Sequence, residues 1–370
     1  MLRCAATSAL MLALSAMCLA SSAVEVLYVA EPHGTQYSLL TYNVDVESAV
    51  ATQVGQPVTI LANSMDPITV NGKHLLYVWN ATNVWVYPTD GSGVPNSRPS
   101  QHLKFGSSNP AYSFVVDPNG KFAYAAYNWT DNQNNVNTDV VLFTIDQSTG
   151  KLTNTGKVVG TWGPNAYIVM DRFVFGVYGP RLYAHWTDFG PYTYGIGYYY
   201  YPVDQTTGAL GNVQTLFNAE TLECGTSCGV AISDPTSLSV GVCCGPGSGS
   251  IAWARNPNGK TFGCEYELAF CSDDVAGLYV DPLGRNVFFG DATVQQTYIA
   301  HIDFTTEQLI QTSSIAGTPP IDFSPDSRLV YAINLDTIGI YALQSSTGNI
   351  TASSVLSDSG NVTVATVTFK

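Results

Sequence analysis

Arg181, His185 and Asp188 fall within one eight-residue stretch, and an aromatic run from Tyr192 to Tyr201 follows it. A guanidinium, an imidazole and a carboxylate so close in sequence can bind an acid and exchange protons, and the rings can stack on a sugar or an aromatic substrate. Arg181 and His185 are therefore the candidate catalytic residues, with Asp188, Tyr192, Tyr194, His33 and Tyr112 as candidate ligand contacts. The competing reading is structural: the aromatics shield a long hairpin and the charges are solvated or paired. The remaining histidines, His33, His74, His102 and His301, stand apart without ligand spacing, so no metal site is expected. Asp131 to Asp139 offers oxygen atoms without the spacing of a calcium loop and reads as a polar loop tip. No cofactor is expected.

Six cysteines, Cys224, Cys228, Cys243, Cys244, Cys264 and Cys271, cluster in one stretch of the chain. An even, clustered set in an exported chain reads as disulfides. Crosswise bonding of Cys224 and Cys228 with Cys243 and Cys244 leaves Cys264 for Cys271, while a vicinal bridge or a metal site are the alternatives. Export itself is expected from residues 1–23, where Arg3 precedes an apolar run from Ala9 to Ala20, and Ser21 and Ala23 suit a signal-peptide cleavage site. Met17 beside Cys18 argues against a lipoprotein site. The apolar run is short of the roughly 20 residues a span needs, so no membrane span is expected.

The formal charge of −14 and the lack of any basic run exclude nucleic acid as a natural partner. The expected product is a secreted or periplasmic monomer. Four Asn-x-Thr sequons, at Asn80, Asn128, Asn349 and Asn361, matter only in a glycosylating host.

Two recurring turns give the organisation. One is Asp-Pro-x-Gly or a relative, as in Val116-Asp117-Pro118-Asn119-Gly120-Lys121, Val280-Asp281-Pro282-Leu283-Gly284-Arg285 and Phe323-Ser324-Pro325-Asp326. The other is Asp-x-x-Thr-Gly-x-Leu, as at Asp146 to Leu152 and Asp204 to Leu210. Pro presets one turn dihedral and Gly tolerates positive φ, so these residues have a mechanical purpose. If the first turn joins strands one and two of a sheet and the second joins three and four, the first strands start near residues 67, 110, 164, 229, 277, 319 and 362. That period predicts an all-β fold: residues 24–370 form a single seven-bladed β-propeller of four antiparallel strands per blade. The C-terminal strand, Val362 to Phe369, would close the N-terminal blade by pairing with Val26 to Ala30. An open solenoid or two sandwiches are the alternatives. The irregular loops at the end opposite the repeated turns, including residues 179 to 201, are the expected place for a ligand.

The turn pair Asp117-Pro118-Asn119-Gly120-Lys121-Phe122-Ala123-Tyr124 and Leu142-Phe143-Thr144-Ile145-Asp146-Gln147-Ser148-Thr149-Gly150-Lys151-Leu152 resembles the lactonase-type seven-bladed propellers. That family includes propeller-type 6-phosphogluconolactonases and fungal muconate-lactonising and carboxymuconate cyclases. The resemblance implies hydrolysis or isomerisation of a sugar or aromatic-acid lactone at a central pocket, with His and Arg at the starts of the inner strands. Here the matching stretches read Asn109-Pro110-Ala111-Tyr112 and Thr318-Pro319-Pro320-Ile321, with no histidine. Two functions are therefore carried forward: a lactonase-like hydrolase or isomerase, and a non-catalytic propeller that binds a glycan or protein through its loop-rich end.

Overall fold

The computed structural model describes residues 24–105, 110–163, 166–176, 179–188, 196–217, 227–233, 238–245, 248–255, 267–268, 275–291, 294–303, 305–306, 308–334, 337–357 and 363–369. Among them every regular element is a β-strand. The chain opens with β1 (Val24–His33), β2 (Gln36–Asp45) and β3 (Val50–Ile60). A four-stranded sheet then follows from β4 (Ser64–Val70), β5 (Lys73–Trp79), β6 (Asn83–Pro88) and β7 (Gln101–Lys104), and another from β8 (Ala111–Val116), β9 (Phe122–Thr130), β10 (Val136–Ile145) and β11 (Leu152–Trp162). The next pair comprises β12 (Ala166–Gly176), β13 (Gly179–Asp188), β14 (Ile196–Pro202) and β15 (Gln214–Phe217), then β16 (Ser227–Ser233), β17 (Leu238–Gly245), β18 (Ser248–Arg255) and β19 (Glu267–Leu268). Two more are built from β20 (Val275–Val280), β21 (Asn286–Asp291), β22 (Gln296–Asp303) and β23 (Gln308–Ala316), and from β24 (Ile321–Phe323), β25 (Leu329–Ile333), β26 (Thr337–Gln344) and β27 (Asn349–Ser357). The last strand, β28 (Thr363–Phe369), returns to the N-terminus and gives the order β28-β1-β2-β3. It pairs antiparallel with β1 from Val24↔Phe369 to Ala30↔Thr363.

The turn residues act as their types require. Asp117 Oδ1 accepts from the Asn119 N–H, and Asp281 Oδ1 accepts from the N–H groups of Arg285 and Asn286. Where the third copy has Ser324, its hydroxyl oxygen accepts from the N–H groups of Arg328 and Leu329. In the other turn type, hydroxyl and N–H donors of Ser148 and Thr149 converge on the Asp146 carboxylate and hold it down to about 2. Gly150 closes that turn at φ 73°, where a Cβ would sit 2.0 Å from Leu75 Cδ1 of the neighbouring sheet.

Neighbouring sheets pack face to face. The β4–β7 sheet shares one apolar cluster with β1–β3 through Tyr28, Ile60, Leu76 and Tyr87, and a second with β8–β11 through Tyr77, Val86, Phe114 and Phe143. Phe122, Tyr124, Leu182 and Val203 join β8–β11 to β12–β15, and Phe288, Ile299, Phe323 and Val330 join the two sheets that end at β23 and β27. The first and last sheets share a cluster containing Leu27, Val29, Leu329, Tyr331 and Ile340. Along one edge of this stack β28 lies against β4, β4 against β8, β8 against β12, β16 against β20 and β24 against β28.

A buried tyrosine ties sheet to sheet at the turn end. Tyr28, Tyr77 and Tyr124 donate to the carbonyls of Gly93, Gly150 and Gly208 at 2.7, 2.6 and 3.0 Å. Each phenol sits on the second strand of its sheet, and each glycine in the last turn of the next, so one hydroxyl sets the register between two blocks that share no ladder. Tyr331 occupies the matching place between the last and first sheets, facing Ala49 at φ 58°. The Ala49 carbonyl accepts instead from Ser354 Oγ, and the buried Tyr331 hydroxyl has no partner among the described residues. Removing a hydroxyl that satisfies a buried carbonyl costs about 1–2 kcal/mol. Tyr77→Phe is accordingly expected to lower unfolding stability by that amount in urea titration, whereas Tyr331→Phe is expected to change it by less than about 0.5 kcal/mol or raise it.

Candidate functional site

Because paired strands run antiparallel, the links from strand one to two and from three to four of a sheet lie at one end, and the remaining connections lie at the other. Residues near the starts of β4 and β8 and the ends of β1, β5 and β13 therefore share the loop end.

Of the expected catalytic pair, Arg181 lies away from that end, and the His185 side chain lies outside the described part of the structure. Residues 179–188 form strand β13 and residues 196–202 strand β14, where an irregular loop was expected. β13 pairs antiparallel with β14 from Arg181↔Pro202 to Thr187↔Ile196. A strand rises about 3.3 Å per residue, which puts Arg181 and Asp188 about 23 Å apart at opposite ends of β13. Arg181, paired in register with Val174 and Pro202, is at the turn end, 7% exposed, with its guanidinium carbon 4.3 Å from the centre of the Tyr200 ring. It is a packed residue far from the loop end. His185 sits mid-strand between Val169 and Tyr198, and Asp188 ends the strand opposite Ala166. The His185 and Asp188 side chains lie outside the described part of the structure, as do Tyr192 and Tyr194 altogether. The polar tip at Asp131 to Asp139 also contracts, since β9 and β10 reach to Thr130 and Val136, and the Asp131 carboxylate accepts from Asn135 and Gln133. No cluster of three or more metal-ligating residues occurs among the described residues.

Two other candidates are at the loop end. His33 is exposed at the last position of β1. Tyr112 is the extra residue of a β-bulge, because the β8–β9 register jumps from Ala111↔Tyr127 to Ser113↔Ala126. The residue is 53% exposed. Bulges re-aim a side chain out of the alternating pattern, and this one turns a tyrosine away from the β8 core residues Ala111, Ser113 and Phe114.

Asp66, not anticipated from the sequence, stands on the neighbouring strand. On β4 the side chains of Ile68 and Val70 enter the cluster shared with β8, and position 66 has the same parity. A carboxylate therefore lies where the pattern calls for an apolar side chain. Trp79 Nε1, at the end of β5, donates to Asp66 Oδ2 at 3.2 Å. Oδ1 makes no hydrogen bond among the described residues, and the residue is half-buried. The Trp79 ring packs on Phe114 of β8 with centroids 6.0 Å apart. Loss of water among these groups outweighs the indole hydrogen bond and pushes the Asp66 carboxyl up to about 7. The signal that could have found it was parity: Ser64-Met65-Asp66-Pro67-Ile68-Thr69-Val70 puts one charge at i, with Ile and Val at i+2 and i+4.

The cysteine stretch is described in part. The β16–β17 register sets Cys228 opposite Cys243 and Ser227 opposite Cys244. Cys224, Cys264 and Cys271 lie outside the described residues.

No family model and no curated protein sequence matches the chain. Among solved structures, the chain is similar to a periplasmic gluconolactonase of Pseudomonas aeruginosa, with a TM-score of 0.62 at 15% identity over 93% of this chain and 99% of the other. A candidate 6-phosphogluconolactonase of Bacteroides fragilis gives 0.60 at 13% identity over 94% and 99% of the two chains. A candidate 6-phosphogluconolactonase of Bacteroides uniformis gives 0.62 at 12% over 94% and 100%. At such identities the likeness is one of fold: all-β, in antiparallel four-stranded sheets, as in the lactonase-type propellers.

Proposed function

We propose that the sheets are the seven blades of one closed ring, and that the chain is an exported lactonase-like protein acting on a sugar or aromatic-acid lactone where the first strands of the blades meet. The observation that carries the reading is the likeness, over more than nine-tenths of the chain, to structures named for gluconolactonase and 6-phosphogluconolactonase activity. The core shared between first and last sheets supports closure. Among the described residues no helix is long and apolar enough to cross a membrane, and the P. aeruginosa neighbour is named as periplasmic, which fits residues 1–23 being a leader.

Purified protein assayed against a panel of unphosphorylated sugar lactones, phosphorylated sugar lactones and aromatic-acid lactones is expected to hydrolyse or isomerise at least one more than tenfold above background. Inactivity on every member would favour the second reading, a binding propeller. The exposed Tyr112 supports that alternative, because aromatic residues at the surface of a rigid strand can contact a sugar. Binding to a glycan array, lost in Tyr112→Ala, is its expected signature.

Export would carry disulfides with it, and the register favours Cys228 with Cys243. Thiol titration of the unreduced, denatured mature protein is expected to find no free thiol, and reduction to release six. Six thiols before reduction would remove the disulfide reading.

A further inference from the structure

We propose that Asp66 is the general base of this site, taking the proton from the water that attacks a lactone carbonyl held between β4 and β8. The inference rests on the lactonase-like reading and adds to it the group that moves the proton.

The geometry has three parts. One oxygen of the carboxylate is tied by Trp79 Nε1, which fixes the plane of the group. The other oxygen makes no hydrogen bond among the described residues, which leaves it able to receive a proton. The indole that holds it is itself pinned on Phe114 of β8, so the carboxylate stands at the loop end where β4 lies against β8.

The step balances without a further reactant. Asp66 Oδ1 takes a proton as the water oxygen bonds to the carbonyl carbon, and the tetrahedral intermediate collapses with rupture of the ring carbon–oxygen bond. The leaving ring oxygen takes up that proton, which returns Asp66 to its charged form and releases a hydroxy acid. A base is most useful when its affinity for protons lies near the working pH, and the burial that raises the Asp66 carboxyl to about 7 places it there. No charged group among the described residues faces it. On β5 the titratable side chain on its own face is Tyr77, whose buried phenol is pushed up and bonded to Gly150. Lys73 and His74 are at the far end of that strand, Tyr112 is the titratable group on β8, and the β28 side chains lie outside the described part.

The test compares wild type, Asp66→Asn, Asp66→Glu and Trp79→Phe on whichever lactone the panel identifies. Wild-type kcat/KM, corrected for spontaneous hydrolysis, is expected to rise with pH to a plateau, with its midpoint near 7. Asp66→Asn is expected to lose about 100-fold or more and the pH dependence with it. Asp66→Glu is expected to recover part of the rate. Trp79→Phe, which removes a hydrogen bond that favours the charged form, is expected to move the midpoint upward while retaining activity. An Asn variant within twofold of wild type, or an unmoved midpoint in Trp79→Phe, overturns the role of Asp66 and leaves the lactonase reading standing. A wild type inactive on every lactone overturns both. A separate readout needs no substrate: the Trp79 component of tryptophan emission, defined by its loss in Trp79→Phe, is expected to titrate near 7 in wild type and to be flat in folded Asp66→Asn. A flat wild-type signal counts against the proposal.

Discussion

A chain ending at residue 362 is expected to remain unfolded at 25 °C. β28 pairs with β1 over seven residue pairs, and its loss would turn β1 into an exposed edge. Val26 to Ala30 of that strand are at most 1% exposed and feed two clusters, one shared with β4–β7 and one with the last sheet. With net backbone hydrogen bonds at about 0.5–1.5 kcal/mol each and burial on both faces of β1 disturbed, the loss is on the order of 5 kcal/mol or more. That is comparable to the whole stability of an ordinary domain. Far-UV circular dichroism and urea titration read the outcome, and a synthetic peptide of residues 363–369 added in trans is expected to restore the cooperative transition. A truncated chain that unfolds with an unchanged midpoint would show that closure by β28 contributes nothing.

Asp66→Asn is expected to stabilise the fold at pH 8 while leaving it unchanged near pH 4. The sign follows from linkage. The Asp66 carboxyl binds its proton more tightly in the folded chain, at about 7 against an ordinary 3.8, so the folded state holds more protons between those values. Stability therefore falls as pH rises through that window, and the cost is complete above it. Full ionisation of such a group amounts to ~4 kcal/mol at the limit. Because the residue is half-buried, we expect a realised penalty of about 2 kcal/mol. The neutral amide escapes it at every pH, so the difference between variant and wild type should open between pH 4 and pH 7 and then level off. A constant difference across that range would mean that Asp66 titrates as an ordinary carboxyl. A residue that weakens the scaffold in its charged form is tolerated where the charge is used, which is why this measurement bears on the site as well as on the fold.

The turns and strands were legible in the sequence because their causes are local. Asp117, Asp146, Asp204 and Asp281 each satisfy N–H groups within five residues, and Gly150 and Gly208 take the positive φ that ends the second turn. With strand parity and period, that placed the first strands within a few residues of β4, β8, β12, β16, β20, β24 and β28, and paired β28 with β1. The site was not legible in the same way. Closeness in sequence grouped Arg181, His185 and Asp188, but a strand rises about 3.3 Å per residue, so the three are spread along β13. Asp66, Trp79 and Phe114 come from three strands and two sheets, and no spacing in the chain announces their contact. The repeating sheet and the turns that end it follow from the local sequence, because hydrogen bonds between near neighbours and alternation along a strand are properties of a short segment. Only the packing of sheet on sheet decided which carboxylate lost its water, because desolvation depends on groups that are distant along the chain.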